Sequence, residues 1–317
     1  MIIYIFKRII FVLPVLFGSS ILVFILLNLA PGDPITKLVG PFASAETRES
    51  IKIAYGLNEP MIVQYFKWVY NLLNGNLGIS IEKSVPVYDI VIDRLYNSIV
   101  LSLFSGIIGI LFGLICGSIC ALYHNKLLDK IILLLFVLGI SIPPYWLAIV
   151  SIFVFSIEFE WFPTGGMYNV DGEENLFDLI RHIILPGLLA SLIPGAIIGR
   201  VTRTAILEQI YQDYVRTALG KGINKFFVFF NHILPNALPS IVNMTSLQIG
   251  YLMLGSAVFI EIVFNWPGLG LLAYQAILAR DIPVLLGIII VSSVLFVLLN
   301  IIADTVLLLI DPRTNFK

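Results

Sequence analysis

Six runs of apolar residues recur along this chain, most of them as long as a bilayer core is thick: Ile9 to Leu29, Ser98 to Leu122, Ile131 to Ser156, Ile183 to Ile198, Ile241 to Ile260 and Val284 to Ile302. A helix needs about 20 mostly apolar residues to cross a membrane. Inside lipid the backbone must satisfy its own hydrogen bonds, so runs of this length are read as helices. The pattern predicts an all-α, polytopic membrane protein with six transmembrane helices. Composition agrees, since 59% of the 317 residues are hydrophobic and only 12% are charged, outside the range of soluble domains. The fourth run is the shortest and reaches full length if Arg200 and Arg203 extend to the interface. A five-span alternative makes Ile183 to Ile198 re-entrant.

Positive charge sets the orientation. With the N-terminus inside, the cytoplasmic segments hold Lys7, Arg8, Lys126, Lys130, Arg200, Arg203, Arg216, Lys221, Lys225, Arg313 and Lys317. The two short outer loops then carry Arg181 and Arg280 among seven acidic residues, from Glu158 to Asp281. The long first outer segment holds six basic residues, but long loops cross with little regard to charge. Both termini are therefore expected in the cytoplasm. The first run is too long for a signal-peptide core and no small-x-small cleavage site follows it, so it is expected to be a retained span.

Cys116 and Cys120 lie one turn apart beside Gly109, Gly113 and Gly117, a four-residue glycine spacing that lets helix backbones approach closely. They read as small packing residues. On this topology His124 and His232 are cytoplasmic and His182 is outside, so no shared metal site is expected. Between Pro31 and Asn97, Ser44 can cap a helix running to Gly56, and Pro60 suits the first turn of another ending near Gly75. On the second, Ile62, Tyr65, Phe66, Val69, Leu72 and Leu73 form an amphipathic stripe. That stripe fits either the membrane and the chain's own spans, or an external platform for a soluble partner.

Enzyme signatures are missing from the sequence. Gly220-Lys221 lacks the upstream glycine of a phosphate loop, and Gly222 stands where the loop needs Ser or Thr. No nucleophile elbow or dinucleotide fingerprint occurs. Acidic residues near the membrane, Glu261 and Asp304, sit at span ends, and the five longest spans have uncharged centres, unlike ion-coupled carriers. Energy is therefore expected from another chain.

The cytoplasmic stretch from Glu208 to Pro239 offers a place for that chain to act. Tyr211, Tyr214, Val215, Ala218 and Leu219 share one helical face, and Asp213, Arg216 and Lys221 supply charge. Gly220 and Gly222 break the helix and Asn224 can start the next. Such a stripe suits a groove in another protein, or the lipid headgroups.

These residues also resemble a family. Asp213-Tyr-Val-Arg-Thr-Ala-Leu-Gly-Lys-Gly222 is similar to the EAA-type coupling motif of ABC importer permeases. Pro31-Gly-Asp-Pro34, Gly75-Asn-Leu-Gly-Ile-Ser80, Ser141-Ile-Pro-Pro144, Arg200-Val-Thr-Arg203, Glu261-Ile-Val-Phe-Asn-Trp-Pro-Gly-Leu-Gly270, Arg280-Asp-Ile-Pro283 and Asp311-Pro-Arg313 resemble, in order, the dipeptide/oligopeptide/nickel permease family, in its B-type subunit. The sequence departs from the usual motif at Leu219-Gly220, where a charged or polar residue followed by alanine is commoner. Glycine there weakens the helix by roughly 1 kcal/mol against alanine, and the helix is expected to end early.

The resemblance implies a type I ABC importer permease fold: residues 1–96 as first span and outer segment, and 97–317 as a five-helix core with a coupling loop at 206–238. It implies a bacterial inner-membrane location and half of a translocation path. The implied partners are a second homologous permease, two cytoplasmic ATPases that bind ATP and Mg, and an extracytoplasmic solute-binding protein, with no nucleic acid. This chain itself is expected to bind no cofactor and no metal and to be no enzyme. Carried over residue by residue, Asp213, Tyr214, Arg216, Thr217, Ala218, Gly220, Lys221 and Gly222 would contact an ATPase. Ser141, Pro143, Asn243, Ser246, Gln248, Gly255 and Glu261 are candidates for the translocation path, against a plain reading as helix packing. Peptide is the expected cargo, with nickel or a metal chelate as alternative. An ion-coupled carrier and a membrane scaffold are the readings from other classes.

Overall fold

The described residues form helices almost throughout. The computed structural model describes residue 14 and residues 17–26, 44–54, 58–169, 174–252 and 257–310. In chain order the helices are α1 (Phe17–Leu26), α2 (Ala45–Ala54), α3 (Met61–Leu73), α4 (Val87–Leu122), α5 (Leu127–Ser141) and α6 (Pro144–Ser151), which continues as a π-helix to Glu158. There follow α7 (Leu176–Ile210), α8 (Asp213–Gly220) and α9 (Lys225–Val228), then a π-helical turn at Phe229–Ile233 leading into α10 (Leu234–Tyr251). The last three are α11 (Ala257–Val263), α12 (Leu269–Ala279) and α13 (Ile282–Ile310). Among the described residues the β-structure is one isolated bridge, Ile79 to Pro86. The all-α expectation is met.

Three helices among the described residues are long and apolar enough to cross a bilayer: α4, α7 and the Ile282–Ile302 part of α13. The third expected span is not straight. Its two halves, Leu127–Ser141 and Pro144–Glu158, meet at 100°. Ile142, ahead of a proline, is extended at ψ 127°, and Pro143 follows at φ −59° and ψ 129°, so the helix cannot continue. The fourth expected span is also corrected. Far from being the shortest, it belongs to a 35-residue helix, because Asn175 caps it by accepting the Asp178 N–H at 2.9 Å and the helix runs on through Pro186 and Pro194. At 1.5 Å per residue that is about 50 Å, too long for a re-entrant element. Of the fifth expected span, α10 and α11 are described and residues 253–256 are not; of the first, residue 14 and α1 are described.

Contacts divide the chain into two units, Met1–Ser98 with Pro267–Val297, and Ile99–Trp266 with Leu298–Lys317. In the first, Val87 and Val91 pack with Leu269, Leu272, Val284 and Ile288. Buried Ser80 donates its hydroxyl to Asp281 Oδ2 at 2.5 Å, and Asp281 also accepts the Glu82 N–H at 3.1 Å. Asn97 donates to the Pro267 carbonyl at 2.9 Å, and the Leu269 N–H donates to Ser98 Oγ at 2.7 Å.

In the second unit the glycine ladder of α4 meets small residues of α7. A Cβ at Gly113 would stand 2.8 Å from the Gly195 carbonyl oxygen, and one at Gly117 would clash with that of Gly199. Two backbones in contact leave no room for side chains there, as the spacing predicted. Cys120, fully buried beside Phe136 and Ala196, is the packing residue expected.

Candidate coupling site

The site begins where α7 ends. After Ile210 the chain turns at Tyr211-Gln212, and Gln212, extended at ψ 150°, caps α8 through its carbonyl, which accepts the N–H groups of Val215 (3.1 Å) and Arg216 (3.3 Å). The other end closes with two bonds: Gly222 N–H to the Leu219 carbonyl at 3.0 Å and Ile223 N–H to the Ala218 carbonyl at 3.3 Å. That pairing is a Schellman ending, and it requires a left-handed residue after the cap. Gly222 supplies it at φ 77°. The helix therefore runs through Gly220, against the expectation that it would end early. Asn224 then caps α9 by accepting the Phe226 N–H at 2.8 Å, as the sequence suggested.

Packing decides which face of α8 is free. Val215 and Ala218 are buried with Ala205 and Ile206 of α7, Val228 and Phe229, and Ala237 and Ile241 of α10. The apolar stripe expected to dock on a partner is thus in part the face that holds α8 to its own chain. Tyr214 fastens it further: its hydroxyl donates to Gln209 Oε1 at 2.8 Å and lies 3.4 Å from the His232 carbonyl. Burial pushes that phenol up from its ordinary value. Asp213, Tyr214, Arg216, Thr217, Leu219, Gly220, Lys221 and Gly222 are left exposed. The result is a short helix seated on its own chain by Val215, Ala218 and Tyr214 and presenting mixed charge.

Beneath this end, Arg203 of α7 meets Asp129 in the first turn of α5. Arg203 Nε and Nη2 donate to Asp129 Oδ1 and Oδ2 at 2.8 and 2.9 Å, and Asp129, 2% exposed, also accepts the Asn125 N–H at 2.9 Å. His124 Nδ1 lies 3.0 Å from Arg203 Nη2. Arg203 is thereby turned onto the start of α5, while Arg200 is exposed. Asp129 was not singled out by sequence. An acidic residue beside Lys126 and Lys130 reads as a solvated helix start, and only the three-dimensional approach of α7 distinguishes it.

The described translocation candidates lie on three elements, the α5–α6 bend, α10 and α11. Ser141 and Pro143 are exposed at the bend and Asn243 is exposed on α10. Ser246 donates to the Val242 carbonyl at 2.8 Å, and Gln248 Nε2 lies 3.8 Å from Met244 Sδ while its Oε1 is buried without a partner among the described residues. Glu261 is 2% exposed inside the second unit, on α11, which packs against α6 and α7. Gly255, like the Pro31 to Pro34 and Asp311 to Arg313 motifs, lies outside the described residues.

Comparisons with known proteins agree along the whole chain. Residues 109–316 match the family described as binding-protein-dependent transport system inner membrane component, and residues 1–103 match its N-terminal counterpart. The oligopeptide transport system permease protein AppB of Bacillus subtilis is 37% identical over 314 residues, 99% of each chain. A putative peptide transport system permease protein of Brucella abortus is 38% identical over 312 residues, 98% of each. The glutathione transport system permease protein GsiC of Escherichia coli is 35% identical over 314 residues, again 99% of each. Among solved structures, a chain of the inward-facing methionine ABC transporter MetNI superposes with a TM-score of 0.58 at 17% identity, covering 70% of this chain and 96% of that one. The fold is that of an ABC importer permease, and the chain belongs to the family of inner-membrane components of binding-protein-dependent transport systems.

Proposed function

We propose that this chain is the permease subunit of an ATP-driven importer and forms half of the path for peptides delivered by an extracytoplasmic binding protein. The observation that carries the reading is α8: a charged helix, anchored by Val215, Ala218 and Tyr214, in a chain whose sequence has no phosphate loop. A helix so fastened transmits a push to α7 and α10 instead of yielding to it. Asp213, Arg216, Thr217, Gly220 and Lys221 make the contact with an ATPase that binds ATP and Mg. Ala218 and Gly222 act from behind, one by seating the helix and the other by ending it. A second, homologous permease and two ATPases complete the assembly, and both termini of this chain lie in the cytoplasm.

Peptide as cargo rests on relatives named for oligopeptides, peptides and glutathione. Those names favour peptide over nickel. The mechanism we infer is alternating access: ATPase closure draws the coupling helices together, the spans open outward, and hydrolysis resets them. The test measures binding of di- to oligopeptides, glutathione and nickel by the cognate binding protein, then uptake into vesicles with and without ATP. Peptide binding with strictly ATP-dependent uptake is expected. Tight nickel binding without peptide affinity, or uptake driven by a proton gradient alone, overturns the proposal.

A further inference from the structure

The outer segment carries an apolar surface that the transport mechanism does not use. On α3, Ile62, Phe66, Tyr70 and Leu73 are 65–77% exposed, Met61 and Val63 are exposed beside them, and no residue of the helix is buried. These positions fall four, four and three residues apart, so they form one continuous stripe. A contiguous apolar patch of this kind on a protein surface marks something that covers it.

The face of α3 flanking the stripe shows what that is. Tyr65 lies against α1: its hydroxyl is 3.0 Å from Ser20 Oγ, and its ring meets Phe24 edge-on with centroids 5.4 Å apart. Ser20 stands at the middle of the apolar run Ile9 to Leu29, the depth at which a spanning helix is surrounded by hydrocarbon. A helix that touches the centre of a membrane span from the side is itself at membrane depth. Its polar groups are arranged accordingly. Lys67, the helix's one cation, flanks the stripe and is neutralised by Glu59 Oε1 at 2.6 Å, Gln64 donates to the Glu59 carbonyl at 2.8 Å, and Asn71, Asn74 and Asn76 stand toward the other end. Thirteen residues make about 20 Å of helix, too short to cross.

We propose that α3 is embedded in the outer leaflet against the first span, with its Ile62–Phe66–Tyr70–Leu73 stripe covered by phospholipid acyl chains. It anchors the outer segment to the membrane. The partner is lipid, and neither the binding protein nor the second permease occupies this face. The inference does not depend on peptide as the cargo.

The test places nitroxide labels at Phe66→Cys and Leu73→Cys, in a Cys116→Ala/Cys120→Ala background, in the complete transporter reconstituted in phosphatidylethanolamine–phosphatidylglycerol vesicles. A label at the exposed Lys83→Cys serves as the aqueous reference, and the size-exclusion profile confirms assembly. Collision rates with oxygen and with a water-soluble nickel chelate are compared. The oxygen-to-chelate ratio is expected to be several-fold higher at both stripe positions than at the reference, and unchanged by added binding protein. A ratio equal to the reference places the helix in water and overturns the proposal. Low collision with both reagents, or protection that arises only with binding protein, assigns the face to a protein and overturns it equally.

Discussion

Arg203 and Asp129 join α7 to α5 by a two-pronged ion pair, at 2.8 and 2.9 Å, three residues before Ile206 enters the cluster that seats α8. The pair thus ties the bent span to the helix from which the coupling element is hung. A planar guanidinium suits this geometry because it gives two parallel donors to one carboxylate.

Removing either partner leaves a charge in a largely closed site, which costs about 3–5 kcal/mol. Arg203→Ala and Asp129→Ala should each lower the thermal midpoint of the purified permease complex by several degrees. Arg203→Lys, which keeps the charge but loses the fork, should fall between them and the parent. Equal midpoints for all three variants and the parent would show that the pair contributes nothing.

The contact between α4 and α7 tolerates no side chain at Gly113, where a Cβ would meet the Gly195 oxygen and Ile198 Cβ at 2.8 Å. Gly113→Leu should separate the helices, with overpacking costing about 1–3 kcal/mol or more. Folded yield in detergent and the melting profile read the effect. A fully stable Gly113→Leu protein would mean that the two helices do not approach this closely.

The two glycines of the coupling helix should behave in opposite ways. A Cβ at Gly220 meets nothing within 4 Å, so Gly220→Ala should firm α8 by roughly 1 kcal/mol. Gly222 has equally open space but sits at φ 77°, where an L side chain is strained, so Gly222→Ala should loosen the helix end by roughly 1–2 kcal/mol. Amide exchange of residues 215–220 measures both, with slower exchange expected in the first variant and faster in the second.

In the outer part of the first unit, Ser80 and Asp281 bind across 201 residues of sequence. Asp281→Ala should leave the Ser80 hydroxyl and the Glu82 N–H without their acceptor. Each loss of that kind costs about 1–3 kcal/mol. Limited proteolysis of the outer segment should quicken in this variant. An unchanged cleavage rate would exclude the link as a fastening.

How much of this was written in the sequence depends on what each signal measures. Apolar run length located the long helices α4, α7 and α13, and cap chemistry located Asn224 and the turn at Gly222. Run length could not separate a straight span from one broken at Ile142-Pro143, because an apolar stretch reads the same either way. It also ended the fourth span at Ile183 and Ile198, since polar residues of α7 beyond them belong to the same helix. Periodicity found the stripe on α8 but not what covers Val215 and Ala218. The buried role of Asp129 depended on α7 arriving beside it, a contact 74 residues distant that no local pattern encodes.

The central claim is that the outward face of α8 receives the stroke of an ATPase. Gly222 is a poor place to test it, since substitution there alters the helix ending. Arg216 is exposed and stands apart from the residues that seat the helix. The measurement is ATP hydrolysis stimulated by the substrate-loaded binding protein, in reconstituted transporter carrying Arg216→Glu. The account predicts that stimulation and peptide uptake fall together by about tenfold or more, as for a charge reversed at an interface, while the melting profile of the permease is unchanged. Wild-type stimulation and uptake in that variant would contradict it.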